Sequence, residues 1–384
     1  MNHQPTITII TPSFNHGRYI EETIKSVISQ EGDFFIDYII MDGGSTDNTI
    51  EIIKKYEELI KNELWKPKCL NIDFRWVSEK DRGQTHAINK GFRIAKGEIV
   101  SWINSDDMYC DEAFSIVTEH FLKHPEDDFV FGDGEVIDEK GNLQWEWLSR
   151  SYNLKVLKSY HFLWNDFTNY IMQQATFWRK KVFDKIGFLD ESFHYAMDIE
   201  YWIRAGEYGL KMKHLPIKLG EFRMVAGTKS LSSKMVFWPE SLEIFRRYNG
   251  AKSMRPFFVY YFFNEGINNN FDLKHVSEQK NIILQRWNAL SLSEQNILKE
   301  KAEQGFYIAC LKLANKAFLY GDIKKGNFIF KETMIKKPFF IIYPLSFIYI
   351  LKKLIGKNLS TTLNMFKNRI IREYRMRRYL YRYL

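Results

Sequence analysis

Glu98 to Asp107 reads EIVSWINSDD, an apolar run that stops at two adjacent carboxylates. An apolar run without polar alternation fits a strand covered on both faces. The acids then fall at its carboxyl end. Toward the N-terminus the same unit recurs. TITIIT (Thr6 to Thr11) is a β-branched run ended by Pro12. A helix is expected from about Arg18 to Gln30, with Ile20, Ile24, Val27 and Ile28 on one face. Ile36 to Met41 is a second apolar strand, and a helix from about Asp47 to Leu64 follows, with Ser45 or Thr46 as its cap. Ile72 to Val77 is a third strand, and Gln84 to Ala95 a helix. Strand–helix alternation of this kind predicts an α/β fold with a mostly parallel sheet. Ligands bind such sheets beyond the carboxyl ends of the strands. The polar motifs fall there: Pro12 to Asn15, Asp42 to Ser45, Ser78 to Gly83 and Asn104 to Asp107.

Beyond residue 128 the pattern changes. Phe129 to Ile137 and Leu143 to Leu148 flank Glu139-Lys140-Gly141-Asn142, which reads as a hairpin. Ala175 to Arg179 is a short strand, and Asp198 to Gly206 begins a helix. From about 240 to 335 the chain is helical, with a helical hairpin expected over Glu303 to Pro338 around Gly321. No second copy marks a repeat array.

Composition narrows the class. The 384 residues include three well-separated cysteines, Cys69, Cys110 and Cys310, without zinc or disulfide spacing. Reduced thiols in a reducing compartment follow, and a polar start without a signal-like segment adds the expectation of a cytoplasmic location. No window reaches the length of a spanning helix. The net charge of +8 is unevenly placed: residues 336–384 hold 12 Lys and Arg against one acid, Glu373, leaving the rest at −3. A nucleic-acid enzyme spreads positive charge along its body. A basic tail behind the apolar run PFFIIYPLSFIYIL (Pro338 to Leu351) instead suits an anionic membrane surface. A partner-binding or core helix, and an RNA-binding tail, are the rival readings.

Two adjacent acids at a strand end can hold a hard divalent cation that keeps sites for water and phosphate. The same residues also suit a solvated turn with a helix cap. Asp42-Gly43-Gly44-Ser45 admits a flat ligand close to bare backbone, or is a glycine turn with a capping Ser. Phosphate-loop, dinucleotide-fingerprint, zinc-protease and nucleophile-elbow motifs are absent from the sequence.

Taken together, Thr8 to Asn15 (TIITPSFN), Asp42 to Asp47 (DGGSTD), Ser78 to Gln84 (SEKDRGQ), Ala87 to Gly91 (AINKG) and Asn104 to Asp107 (NSDD) resemble, in order and spacing, the signatures of family 2 glycosyltransferases. The resemblance covers roughly residues 5–235. It implies a GT-A fold, a sheet covered by helices, and inverting transfer from a nucleotide sugar, usually UDP-linked, with Mn or Mg as cofactor. Thr11, Pro12 and Phe14 would line the nucleoside pocket, Asp42 would pair with the base, and Gly83 and Asn89 would lie near ribose and phosphates. The D-x-D signature is mapped onto Ser105-Asp106-Asp107, with Asp106 on ribose or phosphate and Asp107 on the metal. Phe193 to Arg204 (FHYAMDIEYWIR) resembles the segment bearing the general base, which places Asp198 in that role. Glu200 competes for it, and Asp198 also suits a helix cap. Trp178, in QQATFWR, stacks on an acceptor sugar or is core. Many relatives carry His two residues after an Arg where this chain has Arg223 and Val225, which shifts pyrophosphate contact to Arg223 or Lys229.

The expected layout is a GT-A domain over 1–235 (nucleotide half 1–110, acceptor half 111–235), a helical extension over 236–337 and an anchor over 338–384. The expected partners are a nucleotide sugar, a saccharide or lipid-linked acceptor and an anionic membrane, without nucleic acid. A nucleotidyltransferase and a catalytically inactive sugar-nucleotide-binding module are the alternatives.

Overall fold

A computed structural model describes residues 4–159, 171–225 and 237–355. The chain divides into two compact units, Met1–Ser241 and Leu242–Leu384.

The first unit is built on one sheet of nine strands: β1 (Thr6–Ser13), β2 (Gly32–Asp42), β3 (Cys69–Ser78), β4 (Ile99–Trp102), β5 (Met108–Tyr109), β6 (Phe129–Ile137), β7 (Leu143–Trp147), β8 (Thr176–Arg179) and β9 (Met212–Arg223). Their order is β3-β2-β1-β4-β8-β6-β9-β5, with β7 paired to β6. β1, β2, β3 and β4 run parallel, β8 runs against β4 and β6, and β9 is again parallel to β6. This is the mostly parallel α/β sheet that the alternating pattern predicts. Helices α1 (Ile20–Ile28), α2 (Thr49–Lys61), α3 (Gln84–Arg93) and α4 (Ala113–Lys123) cross over between strands. Ile20, Ile24, Val27 and Ile28 on α1 are buried against β-branched and aromatic residues of β1 and β2, among them Ile7, Ile9, Ile36 and Tyr38. That burial stabilises a helix too short to stand alone in water.

Two strands were not expected, the two-residue β5 and the long β9. β9 contains Pro216 amid Lys and His, a pattern that demotes a run to irregular structure. The ladder accommodates it: the register with β6 slips between His214 and Lys218, where Pro216 has no N–H to donate. The hairpin reading of 129–148 matches the antiparallel pair β6–β7.

The second unit is helical. Its helices Arg255–Asn268, Leu273–Gln285, Leu292–Tyr320, Ile323–Lys336 and Pro344–Ile355 are separated by recognisable punctuation. Asp272, Ser291 and Asp322 cap the N-termini of the second, third and fourth. Gly321 ends the long helix in the left-handed region at φ 94°. The helical hairpin forms around Gly321 as expected, but its first arm starts at Leu292, behind the Ser291 cap.

Candidate active site

The carboxyl ends of β1, β2 and β3 are laced together by short polar side chains. Asn15 accepts from the N–H of Thr46, and its own N–H reaches Ser45 Oγ at 2.7 Å. Asp47 accepts from the N–H of Gly17 and of Thr49. Asp42, expected to read the base, is buried beneath this surface. Its carboxylate accepts the N–H of Gly44 and Ser45 at 2.9 Å each, and the hydroxyls of Ser45 and Ser78 at 2.5 and 2.6 Å. Such a carboxylate holds a turn. Above it Phe14 and Asp81 flank Gly43. Phe14 is 58% exposed, and a Cβ placed on Gly43 would stand 2.8 Å from Asp81 Oδ2 and 3.4 Å from the Phe14 ring. Bare backbone at Gly43 is therefore what lets the carboxylate and the ring approach it this closely. Pro12 is buried at the end of β1. Thr11 does not reach this surface: its hydroxyl meets Tyr38 in the core at 3.1 Å.

The two acids after β4 part company. Asp107 is fully buried and accepts from Asn104 Nδ2 (2.9 Å), Gln174 Nε2 (2.7 Å) and the N–H of Arg223 (2.9 Å). Burial, and then the charge of Asp106, push its pKa well up despite those donors. Asp106 is 9% exposed and accepts no hydrogen bond from another described residue. Its pKa is raised by burial, with His16 and Arg223 acting against that. Ser105 is buried, its Oγ 2.7 Å from His16 Nδ1.

Arg223 does not fit a pyrophosphate ligand. Its side chain is wholly buried, donating to the Asp106 carbonyl at 2.9 Å and to Glu22 at 2.5 Å, and reaching the carbonyls of Asp138 and Glu139. It clamps the acidic turn to α1 and to the β6–β7 turn. Lys229 lies outside the described residues.

α3 joins the two halves. Its first turn sends Gln84 Nε2 to Asn104 Oδ1 at 2.6 Å and Thr85 Oγ1 to the Phe193 carbonyl at 2.7 Å. Gly83 opens the helix at φ 120°, and a Cβ there would stand 3.3 Å from His194 Nδ1. Asn89, expected near the ribose, is instead buried between the halves, bonding the main chain of Leu189 in both directions and Glu191 Oε1.

Asp198 is the second residue of helix Met197–Glu207. Its half-buried carboxylate accepts the N–H of Ile199 at 2.8 Å and finds no side-chain donor among the described residues. Burial pushes its pKa up to about 6, main-chain N–H groups work against that, and the charge of Glu240 adds to it. Glu200 is different: it is buried and held by both arms of Arg204, at 3.1 and 2.7 Å. Its competing claim to the base role therefore meets a carboxylate already paired. Trp178 is core, enclosed by Phe92, Trp102, Phe129, Tyr201 and Trp202 at ring separations of 5.4 to 5.9 Å. It has no face to offer a sugar.

His16, Asp81, Gln174 and Glu240 received no role from the sequence. The first three sit inside or beside quoted motifs, whereas Glu240 carries no local signal. A separate concavity of about 550 Å³, lined by Arg93, Lys96, Lys180 and Phe183 among others, lies at the opposite end of β4 from these loops.

Residues 8–187 match the family model described as glycosyl transferase family 2. The chain is 23% identical over 202 residues to an uncharacterised glycosyltransferase of Methanocaldococcus jannaschii, covering 52% of this chain and 64% of that one. It is 25% identical over 243 residues to a chondroitin synthase of Pasteurella multocida, covering 53% of this chain and 23% of that one. Both matches span less than two thirds of the relatives' own length. The crystal structure of S. aureus TarS 1–349 in complex with UDP superposes with a TM-score of 0.52 at 16% identity, covering 79% of this chain and 90% of that one. At that identity the likeness bears on the fold, which is of the GT-A type.

Proposed function

For a chain whose residues 8–187 match the model of glycosyl transferase family 2, we propose inverting transfer of a sugar from a nucleotide-diphosphate donor to a saccharide or lipid-linked saccharide in cell-surface polysaccharide synthesis. The observation that carries this reading is the first turn of α3. It bonds the Asn104–Asp107 turn through Gln84 and the segment leading to Asp198 through Thr85, so an open carboxylate and a donor-poor one are built onto the same short helix start.

The donor is UDP-linked in this reading. The exposed Phe14 ring beside Gly43 and Asp81 suits a flat base, with the ring as a stacking face. The relative crystallised with UDP and the chondroitin synthase support a nucleotide donor and a polysaccharide product. A divalent cation, Mn or Mg, fits Asp106 better than Asp107. A hard cation that keeps water and phosphate ligands needs one or two carboxylates with free lone pairs. Asp106 has them, whereas Asp107 already receives three protein donors. When bound, the cation supplies charge stabilisation to the departing diphosphate. Asp198, raised to about 6, removes the acceptor hydroxyl proton on the face opposite the leaving group. An inactive binding module would have no use for a carboxylate kept short of donors in this way.

The acceptor sits at a membrane in this reading. Phe339, Ile342, Phe347 and Leu354 are among the most exposed apolar side chains, with Lys352 and Lys353 beside them. That combination suits an anionic surface. Residues 356–384, which carry most of the basic charge, lie outside the described residues, and no described helix is long and apolar enough to cross a membrane.

A screen of nucleotide sugars for cation-dependent turnover, with release of the nucleoside diphosphate as readout, tests the proposal. Turnover of one donor that disappears in Asp198→Asn supports it. Absence of turnover or protection with every nucleotide sugar would overturn it.

A further inference from the structure

Among the described residues Asp198, at the start of its helix, has no side-chain partner, so something else must hold the backbone that presents it. Ala196, the residue before that helix, has φ −119° and makes no side-chain cap. The main-chain N–H groups at this point lie outside the intrahelical ladder and need outside acceptors. They find one carboxylate. Glu240, in the first turn of helix Trp238–Asn249, accepts the N–H of His194 through Oε1 at 2.8 Å. Through Oε2 it accepts those of Tyr195 at 2.8 Å and Ala196 at 2.9 Å. Hydrogen bonds to an ionised acceptor are roughly twice as strong as neutral ones. Three on consecutive residues fix both the position and the direction of the chain entering the helix.

No described Lys, Arg or His forms an ion pair with Glu240, and among the described residues three main-chain N–H groups answer its charge. The other charged groups around Asp198 are placed differently. Glu200 is tied to Arg204 on the same helix, and His194 lies against Gly83 at the start of α3. Glu240 is the charge that acts on Asp198, and it acts in the direction that holds a proton on the carboxyl group.

Resting on the reading of Asp198 as the base, we propose that Glu240 is its positioning residue: through three main-chain hydrogen bonds it fixes residues 194–196 so that Asp198 is presented in one geometry. The benefit is chemical. A general base works best when its pKa lies near the working pH, and an Asp in water is far too weak. Burial alone raises the pKa but leaves the chain entering the helix unanchored; a second carboxylate pinned by three amides adds charge and geometry together.

Two variants separate those contributions. Glu240→Gln keeps a carbonyl acceptor and removes the charge, whereas Glu240→Ala removes both. The full chain, labelled at aspartate carboxyl carbons, is titrated by carbon NMR, with Asp198→Asn used to assign the Asp198 signal. Amide hydrogen exchange over residues 193–199 is followed in parallel. Asp198 should titrate near 6 in the native chain, and lower by about half a unit or more in Glu240→Gln, because a like charge has been removed. Exchange over 193–199 should rise about tenfold or more in Glu240→Ala, and less in Glu240→Gln, as three charge-assisted bonds are lost. A midpoint that stays in place in Glu240→Gln, or exchange that stays unchanged in Glu240→Ala, overturns the proposal. With the donor found by the screen, the acid limb of kcat in Glu240→Gln should move to lower pH together with the titration. If Asp198→Asn keeps full transfer, the base reading fails whatever the titration shows, so the two failures are distinguishable.

Discussion

The turn after β4 and the start of helix Met197–Glu207 each carry two acids, and each pair splits the same way. At the turn, Asp107 is saturated by Asn104, Gln174 and an Arg223 N–H, while Asp106 is left open. At the helix, Glu200 is saturated by Arg204 while Asp198 has only a main-chain donor among the described residues. A buried carboxylate with its lone pairs filled is scaffold, because removing it orphans its donors. One kept short of donors is costly to hold and useful to chemistry. The two regions differ in what fills the scaffold acid. Amides hold Asp107, whose pKa is driven well up, and a guanidinium holds Glu200.

The largest effect expected from this contrast is at the open acid of the helix. Asp198→Asn should lower kcat by about 10²- to 10⁴-fold, the range for loss of a general base. Donor affinity should stay unchanged. In the native chain kcat should fall as pH drops through about 6, because Asp198 is then protonated and cannot accept. Steady-state rates over pH 5–8 check both. Its saturated neighbour should behave oppositely. Glu200→Gln leaves the partly buried Arg204 guanidinium, its side chain 18% exposed, with the carbonyls of Ile186 and Phe188 and no carboxylate from Glu200. A loss of about 3 kcal/mol in stability is expected, read from the denaturant midpoint. A Glu200→Gln enzyme that is stable yet inactive would reverse the two roles.

At the turn the same test is gentler. Asp106→Asn should weaken UDP binding about tenfold in the presence of Mn, leave UDP binding without cation unchanged, and leave thermal stability unchanged. Asp107→Asn should instead cost about 1–3 kcal/mol of stability, because its amide N–H₂ would face the side-chain donors of Asn104 and Gln174. Calorimetry with and without Mn, alongside thermal unfolding, reads both. If Asp107→Asn alone lost the Mn-dependent increment while staying stable, Asp107 would be the cation ligand.

The strand ends and their motifs were legible because a covered parallel sheet writes its strands as apolar runs and leaves its polar residues at their ends. What each acid does there was not. Asp106 and Asp107 are neighbours in sequence, and the donors that separate them come from Gln174 and Arg223, far along the chain. Arg223 illustrates the difficulty. An Arg near a phosphate-binding loop reads as a ligand, yet this one is buried because Glu22, 201 residues away, answers its charge. β9 escaped notice for a local reason, the Pro216 at its register slip. Glu240 escaped because three main-chain donors leave no mark on side-chain sequence.

Trp178 gives the smallest expected effect, and it tests whether the open/saturated contrast extends to the acceptor side. The sequence left it between sugar stacking and core. Its indole is enclosed by Trp102, Phe129 and Trp202, and its Nε1–H has no hydrogen-bond partner among the described residues. Trp178→Phe removes ring volume, which leaves a small cavity and destabilises. It also removes a buried donor that made no bond, which relieves part of that cost. The two effects oppose each other, so a net loss of about 1 kcal/mol or less is expected, below the usual cost of a large core truncation. The acceptor KM should not move, because no edge of the ring reaches solvent. A KM that rose severalfold with stability intact would place a sugar against Trp178 and require the aromatic cluster to open on binding.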